Sequence, residues 1–315
     1  MAITDEVMTV ETTSGNVYSY SHISNEIFVG EHTGKRTEWR FGPLASFCDM
    51  PYINFFIISI TEQCNLRCSY CCYSGVYKSK RAHNKRHLAV TDIDEIYDFI
   101  QSVTSKLPIR IAFYGGEPLL HWDFIKYSVL KGKQIFGDDI IFSVSTNGTV
   151  LNHQLTEWLI RENIEMAISI DGIGTYHDRC RRDVLGHGTF NRIRESIKYI
   201  KDNHPVYISK LSLLMTLSSF KDIVEIAETW HEDEVFSDIA PANIHGLSPN
   251  FENGVNIAEY DDIRNRYIQI LDVYEAHSDF KVLKVYLDEC ISYWKDRPIF
   301  EVDEDMPMPT CVPLN

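Results

Sequence analysis

Short apolar, β-branched runs recur through the middle of the chain, and most are followed by a longer stretch with helical spacing. Residues 55–60, Phe-Phe-Ile-Ile-Ser-Ile, read as a strand buried on both faces. Further buried strands are expected at residues 109–114, 140–145, 164–170, 206–216 and 235–239. Helix starts are marked by Thr91-Asp92 before Ile93, Asn152 before Leu155, Thr189 before Phe190, and Ser218-Ser219 before Ile223. These side chains can accept from the free N–H groups of a first helical turn. Six strands alternating with helices predict parallel βα units.

The two ends follow other patterns. Residues 17–21 alternate after Ser14, Gly15 and Asn16, which predicts a hairpin within an N-terminal extension, residues 1–50. The βα region is expected to span 51–241. Residues 241–256 are rich in Pro, Gly and Asn and read as a loop, and helical stretches follow at 260–277 and 282–294. The C-terminal segment, 242–315, is therefore expected to be a helical tail.

A chain of 315 residues that is 44% hydrophobic can bury one large core. No run of about 18 uncharged apolar residues occurs, and the first residues are acidic rather than basic then apolar. A cytoplasmic location is expected, with no membrane partner. Lys and Arg number 30 against 45 Asp and Glu, a formal charge of −15, which disfavours nucleic acid as a partner. The same field suits a cationic substrate or peptide, or is simply solvated surface charge.

Four of the eight cysteines crowd residues 64–72, where Cys64, Cys68 and Cys71 form CxxxCxxC directly after the first strand. Three thiolates on a four-iron cluster leave one iron open to another ligand. Spacing alone also admits a zinc site completed by Cys72 or a histidine, or thiols that merely pack. Zinc sites more often carry a second paired-cysteine knuckle, and none follows downstream.

With Tyr70 just before the last cysteine, this loop resembles the signature of the radical S-adenosylmethionine (SAM) superfamily. Tyr114-Gly115-Gly116-Glu117-Pro118 is similar to that family's GGEP motif, and the stretch from Ser143 through Ser145 and Asn147 to Thr149 is similar to its strand and turn near the SAM ribose. The resemblance implies an α/β fold, a partial (β/α)6 TIM-like barrel, with a short N-terminal β-rich segment and a helical C-terminal tail. It implies one 4Fe-4S cluster on Cys64, Cys68 and Cys71, whose free iron chelates SAM. Tyr70, Gly115, Gly116, Glu117, Ser145, Asn147, Ser169 and Arg181 are the implied SAM-binding residues. Ser169 and Arg181 are assigned to its carboxylate, and Leu213 to Met215 are candidates for packing on adenine, with a plain core role as the alternative.

The run Ser169-Ile-Asp171-Gly172, then His177-Asp-Arg179 and Arg181, then Gly186-His-Gly188-Thr-Phe190, resembles the protein- and peptide-modifying members, such as sulfatase maturases. The implied activity is that of an oxidoreductase: an electron from an external donor cleaves SAM, and the resulting 5′-deoxyadenosyl radical abstracts hydrogen from a peptide or protein. A small-molecule substrate, or a non-catalytic cluster- or SAM-binding remnant needing a partner, are the alternatives. Cys180 and Cys290 are minor candidates for hydrogen-atom donation. Such maturases continue into a cysteine-rich SPASM or Twitch module. Cys311-Val-Pro-Leu314 resembles its beginning, with leucine where the family has glycine, so the module is expected to be truncated or absent.

Overall fold

Six parallel strands lie side by side in chain order, and helices cover one face of the sheet. The computed structural model describes residues 7–21, 26–30, 53–74, 82–104, 107–246 and 260–295. The end segment 297–315 with Cys311 and most of the 241–256 loop lie outside those residues, as does the Cys290 side chain.

The large sheet has the order β4 (Phe55–Thr61), β5 (Ile109–Gly115), β6 (Ile140–Thr146), β7 (Glu165–Ser169), β8 (Leu211–Leu217) and β9 (Asn243–Gly246). All neighbours pair in parallel, with Phe55 opposite Arg110, Ile111 opposite Phe142, Ser143 opposite Glu165, and Ser169 opposite Leu214. Parallel neighbours need a crossover, and helices supply it: α1 (Ile93–Val103), α2 (Trp122–Phe136), α3 (His153–Arg161), α4 (Thr175–Cys180) with α5 (Phe190–Asn203), and α6 (Ile223–Glu232). This is the α/β partial-barrel architecture that the sequence implied.

Burial alternates along the strands rather than covering both faces. Ile109, Ile111, Phe113, Val144, Ile168 and Leu213 are wholly buried against the helices. The opposite face carries Ala112, Ser143, Ser145, Ala167, Ser169 and Ser212, all half-buried, and encloses a lumen. On edge strand β4 that face is open, with Phe55 and Ile57 each 54% exposed, so the doubly buried reading of this strand is corrected. Its apolar run reflects an inner wall, not a second core.

Three other expectations change. Residues 205–210 form a 3-10 helix ahead of β8, so that strand is shorter than expected. Residues 235–239 form a turn, not the sixth strand. Phe236 and Ser237 return their N–H groups to the Asp233 carbonyl, and the Asp233 carboxylate accepts from Val235 N–H at 2.8 Å. Val235 and Phe236 still fill the core, which is why the run looked like a strand. The sixth strand is β9, inside the stretch read as loop. Asn152 caps α3 by accepting from Leu155 N–H, as expected. Thr189 does not cap α5; the Asp178 carboxylate takes the Thr189 and Phe190 N–H groups at 2.7 and 2.9 Å.

At the N-terminus the hairpin forms between β1 (Val7–Glu11) and β2 (Val17–Ser21), and an unforeseen third strand, β3 (Glu26–Val29), extends it. The turn is held by Glu275 of α7 (Tyr260–Ala276), which accepts from Asn16 Nδ2 at 2.7 Å and from the Tyr18 hydroxyl at 3.1 Å. In α8 (Lys281–Lys295), Glu289 accepts from Ile244 N–H and so anchors β9. No helix among the described residues is long and apolar enough to cross a membrane.

Gly132 tests the packing of α2 on β6. A Cβ there would stand 2.7 Å from the Phe142 ring, which stacks on Phe113, and would press on the buried Tyr97 hydroxyl. Helix propensity favours Gly132→Ala by about 1 kcal/mol, but overpacking costs about 1–3 kcal/mol. Tyr97 is fixed by its bond to the Ser128 carbonyl at 2.8 Å, so the neighbours have little room to give. The expected outcome is net destabilisation, read as a lower urea midpoint at unchanged slope.

Candidate active site

The cysteine loop leaves the sheet at the C-terminal end of β4 and is gripped there by the end of β5. Gly116 donates its N–H to the Thr61 carbonyl at 2.6 Å, and Glu117 donates to the Gln63 carbonyl at 2.8 Å. Gly115 has φ +136°, and a Cβ on either glycine would overlap a carbonyl oxygen of residues 61–63. Both glycines are therefore required by the backbone of the cysteine loop itself.

Glu117 is fully buried at this junction. Its carboxylate accepts from Leu119 N–H at 3.1 Å, the Thr146 hydroxyl at 2.7 Å and Asn147 N–H at 2.7 Å, joining β5 to the end of β6. Burial pushes its pKa up to about 7, against the pull of these three donors. Asn147 in turn donates to Asn65 Oδ1 at 2.9 Å and lies 3.7 Å from the Cys64 sulfur. Its own Oδ1 is taken by the Thr149 N–H and hydroxyl. Glu117 and Asn147 thus spend their side chains on protein groups.

On its other flank the loop meets the segment after β7. Asp171 accepts from Thr216 N–H at 3.0 Å and from Arg181 Nε at 2.8 Å, and it also receives the Tyr70 hydroxyl. The Arg181 guanidinium lies over the Tyr70 ring, 5.4 Å from its centroid. Behind Asp171, His177 accepts its N–H at Nδ1 (3.2 Å), and so carries hydrogen on Nε2 toward the Thr189 hydroxyl at 3.0 Å. Thr189 passes the chain on to the Arg181 carbonyl at 2.9 Å. Asp171 and His177 stand in the motif run noted from sequence, but no role was assigned to either; Asn65 was not singled out, and nothing local marks His177 or Asn65 as braces.

Ser145 and Ser169 sit on the lumen face of β6 and β7, and neither hydroxyl hydrogen-bonds to a protein group among the described residues. Leu213 and Met215 point into the core; Leu214 alone of the three lines the lumen. The adenine-packing expectation is therefore confined to Leu214. Arg181 is engaged through Nε alone. Its two Nη groups make no hydrogen bond among the described residues.

The donor set suits a cluster. Cys64, Cys68 and Cys71 are free, half-buried thiols on one loop, near enough for each charge to raise another's pKa. Burial pushes Cys68 up to about 12, and a hydrogen bond with Cys72 together with burial does the same for Cys71. Iron binding at these thiols must displace protons. Among the described residues no three His, Cys, Asp or Glu side chains gather tightly enough for a single ion. At the opposite, N-terminal end of the strands the lumen holds a cavity of about 470 Å³, lined by Phe55, Arg110, Ser143, Glu165 and Ser212 among others. A larger cleft, about 570 Å³, lies between α2 and α3 outside the lumen.

The buried imidazole gives this site a pH signature. Burial lowers the His177 pKa from 6.5 to about 4, so the unfolded chain binds the proton first as pH falls. Stability from this group is complete above pH 6.5 and is lost between 6.5 and 4. The loss amounts to on the order of 3 kcal/mol. Unfolding free energies across that window are expected to slope less in His177→Gln than in the parent.

Comparison with known proteins places this geometry. The chain is 28% identical over 233 residues to the radical SAM cyclopropyl synthase TigE of Paramaledivibacter caminithermalis, covering 70% of this chain and 46% of that protein. It is 28% identical over 160 residues to a cysteine-type anaerobic sulfatase-maturating enzyme of Clostridium novyi, covering 48% and 41% respectively. The chain thus spans less than half the length of either relative. The solved structure of native anSMEcpe with bound AdoMet and Cp18Cys peptide shares the fold, with a TM-score of 0.51 at 19% identity over 61% of this chain and 50% of that one. The Radical SAM superfamily profile matches residues 58–230, more than half the chain and the whole of the site described above, and the protein belongs to that superfamily, whose members use a 4Fe-4S cluster and SAM.

Proposed function

We propose that the chain is a radical SAM enzyme that modifies a peptide or protein. The observation that carries this reading is a loop of three free thiols, gripped by the Gly115–Glu117 strand end, with the Arg181 guanidinium laid over Tyr70 of the same loop. Cys64, Cys68 and Cys71 hold the cluster. When bound, the reduced cluster with SAM supplies a 5′-deoxyadenosyl radical for hydrogen abstraction. The protein's own part is to orient and to exclude water.

In this reading Arg181 presents its two free Nη groups to the SAM carboxylate, a fork suited to that planar anion. Ser169 adds a hydroxyl beside it, and Ser145 faces the nucleoside. The Gly115 and Gly116 carbonyls receive the SAM ammonium, because the Glu117 carboxylate is already saturated by protein donors. Glu117, Asn147 and Tyr70 hold the loop and Arg181 in place and are positioning residues. The catalytic region is residues 51–241, with 1–50 and 242–315 as flanking segments. A peptide substrate is favoured by the Ser169–Asp171 and Gly186–Phe190 runs and by relatives named for sulfatase maturation.

The test is anaerobic turnover of SAM with dithionite by the reconstituted chain. The parent is expected to form 5′-deoxyadenosine, and Cys71→Ala is expected to form none above background while keeping its circular dichroism. A fully iron-loaded parent that forms none would sink the reading. Mass change in a candidate short peptide, lost in Arg181→Lys, would identify the substrate class.

A further inference from the structure

The outer side of the cysteine loop differs in charge from the rest of the molecule. The chain as a whole has 45 acidic residues against 30 Lys and Arg, yet residues 62–88 contain six Lys or Arg and a single acid, Glu62. Among the described residues Arg67, Lys85, Arg86 and Arg182 are all exposed. Backbone contacts set them on both flanks of the loop. Arg67 N–H donates to the Arg182 carbonyl at 2.8 Å on one side, and Glu62 N–H donates to the Arg86 carbonyl at 3.0 Å on the other.

Between the loop and solvent stands the hairpin at residues 182–188, pinned by Val184 N–H to the Asn65 carbonyl at 3.3 Å and by a bridge from Leu66 to Asp183. Its tip presents Val184 at 55% and Leu185 at 77% exposure. The acids at hand are largely committed. Glu62 lies 3.6 Å from Arg86, and Asp183 bonds to the Leu185 and His187 N–H groups of its own hairpin. Arg67 donates to the Cys64 and Leu66 carbonyls and Arg182 to the Gly186 carbonyl, yet both stay exposed, so the segment around Cys64 to Cys71 presents an apolar tip with a cationic rim.

We propose that this surface docks the electron donor, a small acidic protein carrying a low-potential one-electron flavin or iron-sulfur centre. The inference rests on the reductive reading of the site given above. One electron leaves the donor, which is oxidised, and enters the cluster, which is reduced; no atom or proton is exchanged. Charge complementarity selects the donor's sign, since a net charge of −15 repels an acidic partner overall while this basic surface attracts it. The small apolar tip matches the limited contact of transient redox pairs.

The experiment uses the full reconstituted chain and, as probe, an oxidised flavodoxin of strongly negative charge. Binding is measured by titration calorimetry from low to moderate salt, and 5′-deoxyadenosine formation is compared between reduced flavodoxin and dithionite. Reversing Lys85→Glu with Arg86→Glu, or Arg182→Glu, is expected to weaken flavodoxin binding about tenfold and to flatten its salt dependence. Leu185→Asp is expected to weaken it at every salt concentration. Dithionite-driven turnover stays at the parent level. The proposal is overturned if binding and flavodoxin-driven turnover change less than about twofold in all three variants, the result expected if the patch serves a peptide instead. Absence of turnover with dithionite in the parent would instead count against the proposed function, and the binding titration still decides the docking surface.

Discussion

One buried carboxylate organises the site. Glu117 has no water to turn to, so its burial is tolerable only where donors converge, and the three that do come from the turn after β5 and the end of β6. Fixing that side chain fixes the peptide groups beside it, and these carry the cysteine loop through Gly116 and Glu117 N–H. The strand ends and the loop therefore form one unit. A second hub, Asp171, repeats the device on the far side through Thr216, Arg181 and Tyr70, again with a carboxylate at a strand end.

The division of labour between the two sheet faces explains why a site forms here. Helix-facing positions of β5 to β8 are large and apolar, and they supply the core. Lumen-facing positions are small or polar, which leaves a cavity where a filled barrel would have stacked layers of branched side chains. Six strands with β4 and β9 at the edges leave the wall open, and the Phe55 and Ile57 side chains face that space rather than packing.

Much of this was readable from local pattern, and the failures share a cause. The strands at 109–115 and 140–146 were recovered because their apolar period and their neighbours agree. Residues 235–239 misled because a buried turn and a buried strand have the same composition; only the Asp233 carboxylate, which takes over the local N–H groups, separates them. Asn243–Gly246 was missed because pairing with β8, not propensity, makes it a strand. At the site, motif residues were found but several roles were not. Composition cannot tell a carboxylate that faces a ligand from one saturated by its own chain, and Asp171 and Asn65 act through partners distant in sequence.

The Gly115–Glu117 grip on residues 61–63 also bears on the life of the cofactor. Small zinc-dependent domains lose their shape with their metal, because ligation is most of what folds them. Here the turn that carries the thiols is held by peptide hydrogen bonds, by Asn147 through Asn65, and by Tyr70 on Asp171, none of which involves iron. Damage by oxygen would then strip a mould without breaking it. A loop held in this way would keep its shape when emptied, open to refilling with iron and sulfide.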